Sequence, residues 1–172
     1  ISPQTLCRLL SDAGTPPGAL NVPMPSPPEE VTGYMIVGIN TAGIRDKCFY
    51  PVDLFQKITN SIGDYRPEPD WDAYRETKGK NADHDAILKL ISEVTSISQK
   101  RGEAALFLSQ EFDWDFFMMV FTTVDRLQHF AWKYLDPEHL QYNPEAAKKY
   151  AEPLANYFSC LDKIIGNLIQ AA

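Results

Sequence analysis

Asp125 and His129 are the residues of this chain whose types and spacing best suit chemistry. They follow a short apolar run, residues 116–121 (FFMMVF), which we expect to form a strand buried on both faces. If a helix begins near Asp125, positions i and i+4 lie on one face, one turn apart. A carboxylate and an imidazole with that spacing, just past the carboxyl end of a strand, can bind one divalent metal from the same side. The spacing therefore makes these two residues candidate metal ligands.

Spacing alone also permits a purely structural interpretation of the same two residues. Asp125 would then be an N-cap that accepts bonds from the first helical N–H groups, and His129 a half-buried histidine satisfied by a carbonyl. On spacing alone this interpretation is the favoured one, because two candidate ligands do not make a metal site. Thr122 and Thr123, at the end of the strand, are expected to satisfy backbone groups.

Composition narrows the classes of partner. The chain has 172 residues, 44% of them hydrophobic and 23% charged, which fits one soluble globular domain. A net charge of -7 argues against binding a nucleic-acid polymer by bulk electrostatics. It does not argue against a small phosphorylated substrate, because a bound metal reverses the local sign of charge. No apolar run is long enough for a membrane span, so we expect no membrane segment.

The cysteine spacing bears on the redox compartment of the protein, and the first residue bears on whether the sequence is a piece of a longer protein. Cys7, Cys48 and Cys160 are widely spaced without a CxxC motif, which favours reduced thiols and, weakly, a cytoplasmic location. No signal peptide is recognisable and the sequence starts at Ile1, so we expect an internal piece of a longer protein.

Helical and strand patterns alternate from the start of the chain. A helix is expected with Ser2 as N-cap and Pro3 at its first position, ending at Gly14. Short strands are predicted at residues 19–22 and 34–37. Together with the later elements, these patterns indicate an α/β layer architecture in a single domain, residues 1–172.

The middle of the chain, residues 50–101, shows no clear strand pattern, and we expect it to form a helical insertion on the sheet. Residues 50–53 resemble a helix start. Residues 64–80 are polar and rich in proline, which predicts a surface loop in which the side chains of Trp71 and Tyr74 pack against the protein.

Longer helices are predicted for much of the second half. Asp83 is expected to cap one helix, which Gly102 kinks, and a further helix starts at Pro144. Trp132 and Tyr134, on the helix after the strand, are expected in the core. The buried stripe predicted for the helix after Asp83 comprises Ile87, Leu90, Ile91, Val94 and Ile97.

Three sequence blocks are informative beyond their spacing: residues 21–33 (NVPMPSPPEEVTG), 113–129 (DWDFFMMVFTTVDRLQH) and 157–166 (YFSCLDKIIG). These blocks resemble the alkaline phosphatase superfamily, in its type I phosphodiesterase/nucleotide pyrophosphatase branch. The second block is the most specific, because predicted phosphohydrolases of this superfamily carry a similar strand followed by Asp-Arg-x-Gln-His. The blocks cover both ends of the chain well and the middle poorly.

The resemblance implies a doubly wound α/β fold of the alkaline phosphatase type that holds two divalent metals, usually zinc. In that family a Thr or Ser nucleophile forms a covalent phospho-enzyme, and the residues matching Asp125 and His129 bind one metal. The metals neutralise phosphoryl charge and activate the nucleophile and then water. The implied substrate is a phosphate ester or a nucleotide.

The departures from the family pattern are as informative as the matches. No residue here matches the family's nucleophile, its first metal-binding Asp or its Ser-Asp-His-Gly block. We therefore expect these 172 residues to be inactive alone, and exposed sheet edges to favour self-association. The alternatives are a phosphomutase of the same superfamily and a non-catalytic structural or interaction domain.

Overall fold

A computed structural model describes residues 4–23, 27–38, 45–69, 71 and 84–172. These residues form an α/β fold with a four-stranded mixed sheet and five α-helices, in agreement with the predicted α/β class. In chain order the elements are α1 (Leu6–Asp12), β1 (Pro17–Pro23), β2 (Tyr34–Gly38), β3 (Phe49–Tyr50), α2 (Leu54–Ile62), α3 (His84–Glu111), β4 (Phe116–Met119), α4 (Thr122–Leu135) and α5 (Pro144–Ala171).

The sheet has the strand order β3-β2-β1-β4. Strand β1 pairs in parallel with β2 on one side and with β4 on the other, and the two-residue β3 pairs antiparallel with β2. After β1, the chain adds β2 and β3 on one side of β1, and after α3 it adds β4 on the other side of β1. The gap between β1 and β4 is therefore the point where strand order reverses, the usual place for a ligand crevice in open α/β sheets.

Strand β4 lies at an edge of the described sheet. All of its side chains keep some exposure, and Met118 is 37% exposed. The prediction of a strand buried on both faces is therefore wrong. An unbroken apolar run does not reveal how many neighbours a strand has, and here only β1 pairs with β4 among the described residues.

Two groups of buried side chains form the core. One lies around β1 and β2 and includes Leu54 and Ile58 of α2 and Leu108 of α3. The other joins the first half of α3 to α4 and α5, for example through Leu90, Leu127, Phe130, Tyr150 and Leu154. The 28-residue helix α3 contributes to both groups, so it links the sheet to the helical side of the molecule.

The first helix starts later than predicted. Thr5 is its N-cap, and the Thr5 hydroxyl accepts a 3.2 Å hydrogen bond from the Arg8 amide. Ser2 and Pro3, the predicted cap and first position, lie outside the described residues. Gly14 follows the helix end with a positive φ of 76°, as the predicted stop requires.

Helix α3 runs without interruption through Gly102, and the kink there stays a prediction. The glycine permits a close approach between α3 and α5: a Cβ at position 102 would lie 2.6 Å from Ile164 Cγ2. Asp83, the predicted cap of α3, lies outside the described residues. Helix α5 begins at Pro144 as predicted, capped by the Asn143 side chain.

The predicted insertion, residues 50–101, includes α2 and more than half of α3. Its boundaries stay a prediction, although α2 packs into the sheet core. Among the described residues, no helix combines the length and the apolar character that crossing a bilayer would require.

Candidate functional site

Asp125 and His129 lie on one face of α4, near its start. The helix begins at Thr122, three residues earlier than predicted, so Asp125 lies within its first turn. Asp125 Oδ2 lies 3.6 Å from His129 Nε2, and the two side chains are 74% and 60% exposed. Both groups are therefore open to solvent beyond the carboxyl end of β4.

The separation of these two atoms suits a shared metal ion. Tetrahedral zinc with bonds of about 2.0–2.1 Å holds neighbouring ligand atoms about 3.3 Å apart. The observed 3.6 Å is close to that edge length, so one cation can contact both atoms with a small side-chain adjustment. The donor set, one carboxylate oxygen and one imidazole nitrogen, is also one that zinc accepts.

The structural interpretation of Asp125 as an N-cap is wrong. Phe121 occupies the N-cap position of α4 and makes no side-chain capping bond, while Asp125 lies inside the first turn. There its charge complements the helix dipole without capping a specific N–H group. His129 is mostly exposed rather than half-buried, so neither residue has the structural role that spacing alone favours.

The described residues supply two donors and no more at this place. No group of three or more His, Cys, Asp or Glu side chains that could hold a metal occurs in the described part of the chain. His139 lies in the turn after α4, where its Nδ1 accepts a 3.0 Å hydrogen bond from the Gln141 amide. The assignment of Asp125 and His129 as ligands accordingly stays a prediction, with further coordination positions left to water or to other ligands.

Thr122 and Thr123, the first two residues of α4, bond to side chains and not to the backbone groups we expected. The Thr123 hydroxyl lies 3.0 Å from Ser98 Oγ and accepts a 3.0 Å hydrogen bond from the Tyr157 hydroxyl. The Thr122 hydroxyl donates a 2.5 Å hydrogen bond to Glu68 Oε1. All of these groups are buried or nearly so, and they fix the start of α4 against α3, α5 and the segment at residues 64–69.

Arg101 of α3 completes this buried polar cluster, which we define as Glu68, Ser98, Arg101, Thr122, Thr123 and Tyr157. The Arg101 side chain is 0% exposed. Its Nη1 donates to Thr122 Oγ1 at 3.2 Å, its Nη2 to Glu68 Oε1 at 2.8 Å, and its Nε to the Pro67 carbonyl at 3.0 Å. Nη2 also donates to the Pro67 carbonyl. The guanidinium therefore joins α3, α4 and the 64–69 segment.

The segment at residues 64–69 is not the surface loop that its polarity predicts. Tyr65 is completely buried, and burial raises the pKa of its phenol to about 12. Glu68 accepts from Arg101 and, through its second oxygen, from Trp71 Nε1 at 2.8 Å. The prediction that the Trp71 side chain packs against the protein is confirmed, since its ring stacks on Phe130. Tyr74 and the rest of the predicted loop lie outside the described residues.

The helix face that carries Asp125 and His129 also exposes Trp132, which is 49% accessible. The prediction that Trp132 lies in the core is wrong, because it is seven residues after Asp125 and so lies on the same solvent side of the helix. Tyr134 lies on the opposite side and is buried as predicted.

Asn21 lies at the carboxyl end of β1, beside the point where strand order reverses. It is fully buried and has a φ of 54°, a left-handed conformation that few residues other than glycine adopt. Its Oδ1 accepts a 3.4 Å hydrogen bond from the Tyr65 hydroxyl, and its Nδ2 has no partner among the described residues. The strand pairing shifts register at this residue.

A charged residue within a helix's apolar stripe was the signal that could have revealed the polar cluster. Arg101 follows Ile97 by four residues and precedes Leu108 by seven, so it shares their face of α3. A lone arginine among buried aliphatic positions needs a buried partner. Nothing in the sequence identifies that partner as Glu68, which is 33 residues away.

Comparisons of the chain with protein-family models, curated proteins and solved structures return no match. The assignment to a family therefore stays a prediction from the three sequence blocks.

A shallow groove of about 380 Å³ between α3 and α5 is lined by Leu88, Ile91, Ser92, Thr95, Ser96, Gln99 and Pro153. Neither Asp125 nor His129 lines it.

Proposed function

We propose that Asp125 and His129 are two ligands of a divalent metal in a phosphoester hydrolase of the alkaline phosphatase type. The observation that carries this proposal is the 3.6 Å separation of Asp125 Oδ2 and His129 Nε2 on an exposed helix face. A metal that bridges two such atoms needs them on one side and accessible, and both conditions hold.

The position of the pair in the fold supports the proposal. Helix α4 follows directly on the carboxyl end of β4, and β4 lies beside the reversal of strand order at β1. Open α/β sheets bind ligands at this kind of position. A doubly wound sheet of the alkaline phosphatase type is part of the proposal, and the parallel arrangement of β2, β1 and β4 is compatible with it.

The chemistry proposed is hydrolysis of a phosphate ester or a nucleotide. A bound divalent metal would neutralise charge on the phosphoryl oxygens and lower the pKa of a bound water. Asp125 would supply a carboxylate oxygen and His129 a neutral imidazole nitrogen, the forms in which these residues bind zinc. No residue of the chain is assigned as the nucleophile, so the proposal gives these residues a metal-holding role only.

Zinc titration of the 172-residue chain tests the proposal. We expect weak 1:1 binding, with a Kd on the order of 1 mM, equivalent to about -4 kcal/mol, because only two protein ligands are present. Asp125→Asn and His129→Gln should each remove the binding measured by calorimetry. His139→Gln is the matched control, since it also deletes an imidazole, and it should bind zinc like the unsubstituted chain.

A second candidate is a non-catalytic domain in which Asp125 and His129 are only a surface pair on a helix. The observation that favours it is the lack of a third donor among the described residues. An exposed i, i+4 pair contributes about 0.3–0.5 kcal/mol. If the unsubstituted chain and all three variants give the same heat of zinc addition, the surface-pair interpretation replaces the metal site.

A further inference from the structure

We infer that Arg101, Glu68 and Thr122 are positioning residues that hold the first turn of α4 and so set the separation of Asp125 and His129. This inference rests on the proposed function, because it assigns three buried residues to the support of that metal pair. None of the three touches the metal pair directly in the hydrogen bonds described above.

The three side chains close a ring of hydrogen bonds. Arg101 Nη1 donates to Thr122 Oγ1 at 3.2 Å, Arg101 Nη2 donates to Glu68 Oε1 at 2.8 Å, and Thr122 Oγ1 donates to Glu68 Oε1 at 2.5 Å. The two bonds that Arg101 donates have fixed directions because the guanidinium is planar and its donors form a rigid fork. The Thr122 hydroxyl both accepts and donates within the ring, so its orientation is fully determined.

Stability alone does not explain a buried ion pair at this place. Taking a guanidinium and a carboxylate out of water costs several kcal/mol for each ion, and apolar residues of similar volume often stabilise a fold equally well. Directional bonds offer what apolar contacts do not, which is one fixed arrangement of the groups they join. The groups joined here are the middle of α3, the 64–69 segment and the first residue of α4.

The start of α4 has particular need of such bonds. Its N-cap residue, Phe121, gives no side-chain capping bond, so the first turn lacks the usual restraint on its free N–H groups. The hydroxyl bonds of Thr122 and Thr123 hold this turn in place of a cap. One turn later Leu127, Phe130 and Ala131 pack against α3 and α5, so the rest of the helix is held by apolar contacts.

The two metal ligands therefore depend on the ring to different degrees, although Val124 of the first turn also packs against the apolar cluster. Asp125 lies in the first turn, which the ring orders, whereas His129 lies in the second turn, beside the packed Phe130. Loss of the ring should fray the first turn and move Asp125 while His129 stays in place. The 3.6 Å separation would then no longer be maintained, although the helix as a whole would persist.

The experiment compares zinc affinity and amide hydrogen exchange in matched variants of the 172-residue chain. Thr122→Val removes the hydroxyl at nearly constant shape, and Thr122→Ser keeps it. Zinc should bind Thr122→Val about tenfold more weakly, a loss typical of removing a ligand's support. Binding by Thr122→Ser should stay within about twofold of the unsubstituted chain. The Asp125 amide should exchange faster in Thr122→Val, with the amides of α5 unchanged.

Two further variants guard against misleading results. Arg101→Met combined with Glu68→Leu replaces the ion pair by apolar groups, which avoids a stranded buried charge, and it should lose zinc affinity like Thr122→Val. Thr95→Val removes a hydroxyl of α3 that bonds only the Ile91 carbonyl among the described contacts, and it should leave zinc affinity unchanged.

Equal zinc affinity and equal Asp125 exchange in Thr122→Val and the unsubstituted chain would overturn the inference and leave the proposed function standing. Absence of zinc binding in the unsubstituted chain would instead overturn the proposed function.

Discussion

Thr122 Oγ1 and Glu68 Oε1 lie 2.5 Å apart although 54 residues separate them in the sequence. This contact joins the start of α4 to a segment whose polarity suggests a surface loop. Since the Arg101 guanidinium bonds to both groups, a buried ion pair lies at the first residue of the helix that carries Asp125 and His129. Buried directional contacts at the start of α4 thus precede two solvent-exposed candidate metal ligands on the same helix.

Arg101→Met should destabilise the fold by about 3–5 kcal/mol, because it leaves the Glu68 carboxylate buried without its charged partner. Urea unfolding followed by circular dichroism measures the loss. The matched control is Arg66→Met, since Arg66 is half-exposed and pairs with Glu93 at 3.4 Å, a contact of about 0–1 kcal/mol. Similar losses for both arginines would contradict the account of Arg101.

Gly102→Ala should destabilise the fold by up to about 2 kcal/mol, because the added methyl group would lie 2.6 Å from Ile164 Cγ2. This overpacking costs about 1–3 kcal/mol, which outweighs a gain in helix propensity of up to about 1 kcal/mol. Gly166→Ala, in α5, is the control: a Cβ there meets nothing within 4 Å. Alanine in that open helical position should stabilise by up to about 1 kcal/mol. Thermal unfolding should therefore shift in opposite directions for the two substitutions, and shifts of the same sign would refute the close packing at Gly102.

Tyr65 should make the protein lose stability at alkaline pH. Burial raises the pKa of Tyr65 to about 12, above the value near 10 of a tyrosine in the unfolded chain. The unfolded chain therefore releases this proton first, so the stabilisation is full below about pH 10 and is lost as pH rises through about 12. Burial also raises the pKa of Tyr157, so other tyrosines add to the same trend.

Tyr65→Phe should lower the pH dependence of the unfolding free energy between pH 10 and 12 by about one proton, or about 1.4 kcal/mol per pH unit. Urea titrations at several pH values measure that slope. The same comparison below about pH 9 is the control, because there Tyr65 keeps its proton in both states and the two slopes should match. An unchanged slope in Tyr65→Phe would show that Tyr65 does not titrate with the fold.

Local patterns in the sequence account for much of the fold. The predicted strands at residues 19–22 and 34–37 lie within β1 and β2, and the helix from Pro144 is present as α5. Two of these elements have strong signals, a continuous apolar run for β2 and a long stripe at helical spacing for α5, whereas Asn21 interrupts the apolar run of β1. The two-residue β3 has no comparable signal, because its pairing depends on β2 and on no pattern of its own.

Long-range contacts explain what sequence patterns did not reveal. An apolar run at residues 116–121 predicted a strand buried on both faces, but the position of β4 at the sheet edge depends on which strands pair with it. Polarity and prolines predicted Tyr65 and Glu68 at the surface. In the structure Glu68 bonds to the buried Arg101, and Tyr65 bonds to the buried Asn21. The i, i+4 spacing of Asp125 and His129 did predict their shared face, since that relationship depends only on helix geometry.

The most direct test of the metal-site proposal is paramagnetic broadening by Mn²⁺ in nuclear magnetic resonance spectra of the 172-residue chain. The proposal predicts that substoichiometric Mn²⁺ broadens the His129 ring protons and the Asp125 amide first, while the His139 ring signals stay sharp. Asp125→Asn should abolish this selectivity. Equal broadening of His129 and His139 in the unsubstituted chain would contradict the assignment of Asp125 and His129 as metal ligands.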